Sequence, residues 1–407
     1  MSRQPLLPVA EALAHVLRGA TLLGTEAVPL TMAAGRTLAE PITALRTQPS
    51  FPSSAMDGYA VRTADAVEGA ELRLIGESAA GHLFSGRLEA GQTVRIFTGG
   101  AVPENADAVV AQEDTVREGD RVSIIINAKP NQHIRPAGLD FRADDVLLEA
   151  GTLLTARSVA LVAATGRSEI VVARRPRVAI LATGDELVEP GEEPRDGQIN
   201  GSNGIMLENM VRTAGGEPIE LGIARDTLEA IQDAARHARD LNADVIVTTG
   251  GASVGDHDLV HKALSAEGLK LDFWRVALRP GRPMMAGNMN GIRMLGLPGN
   301  PVSTHVCAFL FMVPLLRALQ GRRDVHHQLE YAVLGTSLGE NQGRQDYMRG
   351  KLTLSETGVA TAMPFGRQDS SMLRLLAEAD CLIMRPPEDA PRSKGDPCRI
   401  IRLDEHL

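Results

Sequence analysis

At 407 residues the chain exceeds what one hydrophobic core usually supports, and length alone leads us to expect about three domains. Apolar residues make up 43% and charged residues 23%; a net charge of −9 with no long basic block excludes a nucleic-acid binder held by bulk electrostatics. Three widely spaced cysteines (Cys307, Cys381, Cys398) give neither a disulfide framework nor a clustered zinc site, and fit a reducing cytoplasm.

The first twenty residues, "MSRQPLLPVAEALAHVLRGA", lack a continuous apolar run and read as a short amphipathic helix, not a signal peptide. Residues 1–44 and 142–175 read as helical or extended flanks of one region. Between them, residues 45–141 carry Gly, Pro and short β-like runs such as "AVVAQEDTV" and "RVSIIINA", the mark of an inserted β-rich module. In that module Asp57 stands in a Ser/Pro/Gly-rich loop before one strand, and Thr98-Gly99-Gly100 follows another. Arg135 and Asp140 come from "HIRPAGLDF". Taken singly, Asp57-Gly58 is only a turn signal.

Residues 176–327 alternate strand and helix. "RVAILATGDEL" is a continuous apolar run ending in Thr-Gly, as in a parallel strand buried on both faces. A helix follows, with Ile205, Leu207, Met210 and Val211 at helical spacing, then the strand "EPIELGIARD". "TLEAIQDAARHARDL" places Leu228, Ile231, Ala235, Ala238 and Leu241 on one stripe. The strand "ADVIVTTGG", the helix "DLVHKALSAEG" and two short strands, "PMMAGNM" and "GIRMLGL", complete an open α/β sheet. A last helix opens with Asn300 at the N-cap and Pro301 at its first position. It runs into "VCAFLFMVPLL" (Val306–Leu316), which is too short to span a bilayer and reads as buried helix. From 328 to 407, short strands such as "YAVLGTSL" and "CRIIRL" predict a small β-barrel-like domain.

Ligands of open α/β sheets bind beyond the carboxyl ends of the strands. Those ends carry Thr183-Gly184-Asp185-Glu186, Arg225-Asp226, and Thr249-Gly250-Gly251 with Ser253, Asp256 and Asp258 behind. The helix start Gly299-Asn300-Pro301 adds free N–H groups suited to an anion. A helix cap or a solvated charge explains any one of these acids as well as a site does; the set of five favours a site. In "WRVALRPGRP", Arg275 and Arg279 are four apart on an extended segment, which places both on one face, and Arg282 follows a Pro-Gly turn. Glycine amides, arginines and carboxylates together suit a phosphate ester carried with Mg²⁺, which takes one or two carboxylates plus substrate oxygens. His257 reads as an exposed loop residue, and neither a Walker A motif nor a GxSxG elbow occurs.

Seven motifs in order, "SAMDGYAV", "TGGAVPENADAVV", "IRPAGLDF", "LATGDELV", "TGGASVGDHD", "RPGRP" and "LPGNPVS", resemble the molybdopterin molybdenumtransferase family, whose eukaryotic relative is the E domain of gephyrin. The resemblance implies insertion of molybdate into adenylylated molybdopterin with release of AMP, assisted by Mg²⁺. It further implies a central molybdopterin-binding α/β domain and a homodimer whose active sites are shared between subunits. The adenylyltransferase and other molybdenum-cofactor proteins are possible partners. Carried over by motif, the resemblance implies catalysis by Asp57, Glu186, Asp226 and Asp258, with Mg²⁺ on Glu186, Asp226 and Asp258. Substrate binding falls to Thr98, Arg135, Asp140, Gly250, Gly251, Ser253, Arg275, Arg279, Gly299, Asn300 and Ser370, the last flanked by Asp369 and Ser371 in "GRQDSSML". Arginine at 275, 279 and 282 departs from the family's frequent lysine: it keeps the charge and changes the donor geometry. Two rival readings are the adenylyltransferase that shares the central fold and a non-catalytic scaffold like gephyrin; "SAMDGYAV", the added β modules and the full acid set argue against them.

Overall fold

A computed structural model describes residues 6–250, 259–356 and 358–403. The central sheet is six-stranded, in the order Glu217–Ala224, Arg177–Thr183, Val245–Thr249, Ile292–Leu297, Met285–Met289, Leu269–Trp274. The first four strands are parallel to one another, and each of the last two is antiparallel to the strand before it. Val245–Thr249 is buried along its whole length and Arg177–Thr183 along all but its first residue, which is why both read as unbroken apolar runs. Helices cover both faces. Leu207, Val211, Val302 and Val306 pack on one side, and Ile231, Ala235, Val260 and Leu264 on the other.

Two features depart from the reading of the sequence. The strand Leu269–Trp274 was not anticipated, although Leu269, Leu271 and Phe273 alternate with Lys270 and Asp272 in the period of a half-buried strand. The N-terminal helix Val9–Leu17 does not join the flank region. It buries Val9, Ala12 and Val16 in the core of the central sheet. Its apolar stripe needs a partner surface, and the helix Pro301–Leu319 beside the sheet supplies one.

The remainder of the two flanks comes together. Thr25–Pro29 pairs with Glu169–Ala173, Ile42–Thr43 with Val146–Leu148, and Val28, Leu38, Leu154, Val162 and Val172 share one core. The inserted module is a six-stranded sheet with a cluster on each face. Tyr59 and Val61 face one way and Ala60 the other, as strand alternation requires. In the C-terminal region five strands close into a barrel: Glu330–Leu334, Ala360–Pro364, Gln345–Leu354, Cys381–Arg385 and Pro397–Arg402, which returns to the first. Closure leaves no edge among these five, and Ala332, Leu334, Ala362, Cys381, Ile383 and Ile400 fill the interior.

Pro301–Leu319 is the one described helix long and apolar enough to cross a membrane, and 89% of the residues in its 18-residue apolar window are buried within the protein. Two histidines lie against its middle: His305 stacks on Phe309, and His327 stacks on the same ring with centroids 3.8 Å apart. Burial pushes both imidazoles down to about 4 from an ordinary 6.5. Their contribution to stability is therefore full above the unfolded value and is lost as pH falls towards the folded one. Each should cost about 2 kcal/mol by about pH 5. Thermal unfolding followed from about pH 7 to about pH 5 should show a steep loss that His327→Phe makes shallower; parallel profiles would contradict this.

Candidate active site at the carboxyl edge of the central sheet

Backbone crowding shapes the edge. Gly250 has φ +92°, and a Cβ there would lie 2.2 Å from the Thr183 carbonyl oxygen, so only glycine fits. A Cβ on Gly299 would lie 3.4 Å from the Cα of Gly250, which brings the helix start against the glycine turn. Asn203 ties the parts together: its amide donates to Thr249 Oγ1 at 3.0 Å and to the Gly299 carbonyl at 2.7 Å. The Thr183 hydroxyl and Asn203 Oδ1 are buried without a hydrogen-bond partner among the described residues. Unpaired buried polar atoms are costly, and these two stand at or against the strand ends that make the edge a candidate site. Asn203 was not singled out from the sequence; the Asn/Gly-rich stretch "INGSNG" is its only local signal.

Acids gather on the same edge. Asp185 Oδ1 accepts the Asp226 N–H at 3.2 Å. Burial first, and then the negative charge of Asp185 and Glu186, raises the Asp226 carboxyl above its ordinary value. Glu186 folds back over Gly184, where a Cβ would meet its carboxylate at 2.6 Å. Asp185 is thus part of the acid group alongside Glu186 and Asp226.

The barrel reaches this edge through one loop. Asn300 starts its helix, yet its side chain does not cap it. Its amide donates instead to Ser370 Oγ at 3.0 Å, while the Val302 N–H bonds the Ser370 carbonyl at 3.0 Å. Ser371 donates its N–H (2.8 Å) and hydroxyl (2.6 Å) to Asp369, holding that carboxyl below its ordinary range. Behind the loop, the fully buried Arg349 donates to the carbonyls of Asp369 and Met372 at 2.9 and 3.2 Å. Arg349 also escaped the sequence reading, since nothing local distinguishes "DYMRG" from any strand.

The arginines differ from expectation. The segment is not extended throughout: Arg275 has φ +83°, so four-residue spacing does not place it on one strand face with Arg279. Arg279 forms an ion pair with Asp346 of the barrel and bonds Asn341 at 3.2 Å. Its two-residue strand lies parallel to Gln345-Asp346. Arg282 is exposed, and its carbonyl accepts the Val276 N–H at 3.1 Å.

A second group lies in the inserted module. Asp57 accepts the Thr98 N–H at 2.7 Å and its hydroxyl at 2.8 Å, and these two bonds, with the nearby Arg95 charge, hold its carboxyl low. Arg135 and Asp140 are exposed beside the chain entering the module. The Arg135 strand pairs with Ser53-Ser54, and the Asp140 N–H bonds Gln48. Among the described residues no hydrogen bond or ion pair joins Asp57 or Thr98 to the sheet-edge acids. Gly251, Ser253, Asp256, His257 and Asp258 lie outside the described residues.

Three family descriptions match in succession: "MoeA N-terminal region (domain I and II)" over 7–166, "Probable molybdopterin binding domain" over 179–318, and "MoeA C-terminal region (domain IV)" over 331–403. The molybdopterin molybdenumtransferase of Haemophilus influenzae is 36% identical over 378 residues, covering 92% of this chain and 93% of its own. The chain belongs to the molybdopterin molybdenumtransferase family. Its relative in Nostoc sp. is 35% identical over 93% of this chain and 89% of its own length. The molybdopterin biosynthesis MoeA protein of Pyrococcus horikoshii superposes with a TM-score of 0.85 at 29% identity, over 98% of this chain and all of that one. As a molybdenumtransferase relative over all three regions, the chain has an enzyme's role in molybdenum cofactor biosynthesis, and the adenylyltransferase and scaffold readings are not favoured.

Proposed function

We propose that the chain inserts molybdate into adenylylated molybdopterin and releases AMP. The observation that carries this is the sheet edge itself. Glycine backbone, unpaired polar atoms of Thr183 and Asn203, an acid group and the Asn300–Ser370 junction meet where a nucleotide-linked substrate would lie. Arg275 and Arg279 would bind substrate oxyanions, Arg279 as a cation already oriented by Asp346. Asp57, held ionised by Thr98, would accept a hydrogen bond from substrate or position a water. Catalysis on this reading is positioning and electrostatics, with no covalent enzyme nucleophile. Burial pushes both thiols well up from their ordinary value and leaves Cys307 and Cys381 inert, which agrees with sulfur chemistry residing on the substrate. Free thiols also support action in the cytoplasm.

Mg²⁺ belongs to the proposal. Among the described residues no three His, Cys, Asp or Glu side chains form a closed metal cage. Mg²⁺ does not need one, since it is usually held by one or two carboxylates and substrate phosphates. The raised proton affinity of Asp226, crowded by Asp185 and Glu186, is what a hard cation would relieve, so the donor set fits. Glu186 and Asp226 would hold it, with Asp258 a further candidate. The ion would neutralise charge at the phosphate link of the substrate.

No hydrogen bond or ion pair among the described residues links Asp57 or Thr98 to Glu186 or Asp226, and a homodimer with sites shared between subunits would give the two groups a way to meet. AMP release from adenylylated molybdopterin should require both molybdate and Mg²⁺. AMP release undiminished after complete chelation of divalent metal would remove the ion from this scheme, and release indifferent to molybdate would remove the reaction.

A further inference from the structure

Trp274 and Arg275 leave the sheet at its carboxyl edge, where the candidate site lies. Leu269–Trp274 is antiparallel to Met285–Met289, itself antiparallel to Ile292–Leu297, so it runs in the direction of the four parallel strands. The register places Trp274 beside Met285, Met285 beside Gly296, Gly296 beside Thr248, and Thr248 beside Leu181. Thr183 and Gly250 come two residues later on their strands, and Arg275 one residue later on its own.

At that point the chain turns. Arg275 takes φ +83°, a left-handed conformation that costs a residue with a side chain, and it is pinned there from both ends. Its N–H donates to Met284 at 2.8 Å, and its carbonyl accepts the Leu7 N–H at 3.3 Å. Neighbours on a regular strand point to opposite faces. The turn instead brings the Arg275 guanidinium to 5.9 Å from the centre of the Trp274 indole. The same indole lies against His261, ring centres 5.2 Å apart, on the helix Leu259–Ala266 that follows the glycine loop. The indole N–H is buried with no hydrogen-bond partner among the described residues. Packing alone would be served better by Phe or Leu, which bury no donor. What the indole adds is the strongest π-face for a cation.

We propose that Trp274 is a positioning residue for Arg275: the indole holds the guanidinium at the sheet edge for a substrate oxyanion and links it to the helix after the glycine loop. This rests on the reading that Arg275 binds substrate.

AMP release measured for Trp274→Leu, Trp274→Phe, Arg275→Gln and the double variant Trp274→Leu/Arg275→Gln tests it. Trp274→Leu should raise KM for adenylylated molybdopterin roughly tenfold with little change in kcat, and Trp274→Phe should recover most of the loss. The double variant should be no worse than Arg275→Gln alone, because the indole acts only through the guanidinium. Multiplying effects in the double variant, or an unchanged KM in Trp274→Leu, would overturn the positioning role and leave Arg275 as a ligand. A normal KM in Arg275→Gln would remove Arg275 from substrate binding and the proposal with it. Trp274 is the sole tryptophan, so its emission gives a second readout that does not need the Leu variant to fold. AMP should shift that emission in the native chain and not in Arg275→Gln; equal shifts in both would count against the proposal.

Discussion

Mixing inactive Asp57→Asn subunits with inactive Glu186→Gln subunits is expected to restore about a quarter of native turnover. Asp57 is committed to Thr98 inside the inserted module, and Glu186 folds over Gly184 at the edge of the central sheet. If the two groups meet only across a two-fold interface, a mixed dimer has one site carrying both changes and one carrying neither. Random exchange makes half of the dimers mixed, so about one site in four is native. Sites built within one chain would each retain one defect, and no activity would return. Exchange is verified by native mass spectrometry of the mixture, so that persistent inactivity rejects the shared site and leaves the reaction untouched.

Gly250→Ala should abolish measurable turnover and lower the melting temperature. Two costs combine: a left-handed φ of +92° and a methyl group 2.2 Å from the Thr183 carbonyl oxygen. Together they amount to about 2–5 kcal/mol. Relief requires Thr183 or the glycine turn to shift, which displaces the edge where Gly299 and Asn203 converge. Misplacement on the order of 1 Å costs about a hundredfold in rate. Gly191→Ala is the control, because Gly191 has φ +103° with open space around it and isolates the backbone cost. Steady-state AMP release and calorimetry on both variants decide the matter. Equal behaviour of the two would show that the crowding at Gly250 has no functional weight.

Much of the fold was legible because its signals are short-range. The buried strands Arg177–Thr183 and Val245–Thr249, the stripe Ile231, Ala235 and Ala238 (though Leu228, placed on it by spacing, is exposed), and the Asn-Pro opening of the helix from Pro301 are each readable within about fifteen residues. The strand ends are likewise marked by their own glycines and acids, Thr183-Gly184-Asp185-Glu186 and Thr249-Gly250 among them, which are local in the chain. Identity came from seven ordered motifs, information in residue type that needs no coordinates.

Tertiary structure decided what depends on distant partners. Asp57 is held by Thr98 from 41 residues away, Arg279 by Asp346 from 67, and Asn300 by Ser370 from 70. Hydropathy period carries no record of such pairings, because an exposed Asp or Asn looks the same with or without its partner. The N-terminal helix illustrates the limit for packing: its stripe declared that it would be buried, but only the surface left open beside Pro301–Leu319 determined where. Arg275 illustrates it for the backbone. Its neighbours suggest extended chain, yet bonds to Leu7 and Met284, far away or across a turn, hold it left-handed and set where its charge is presented.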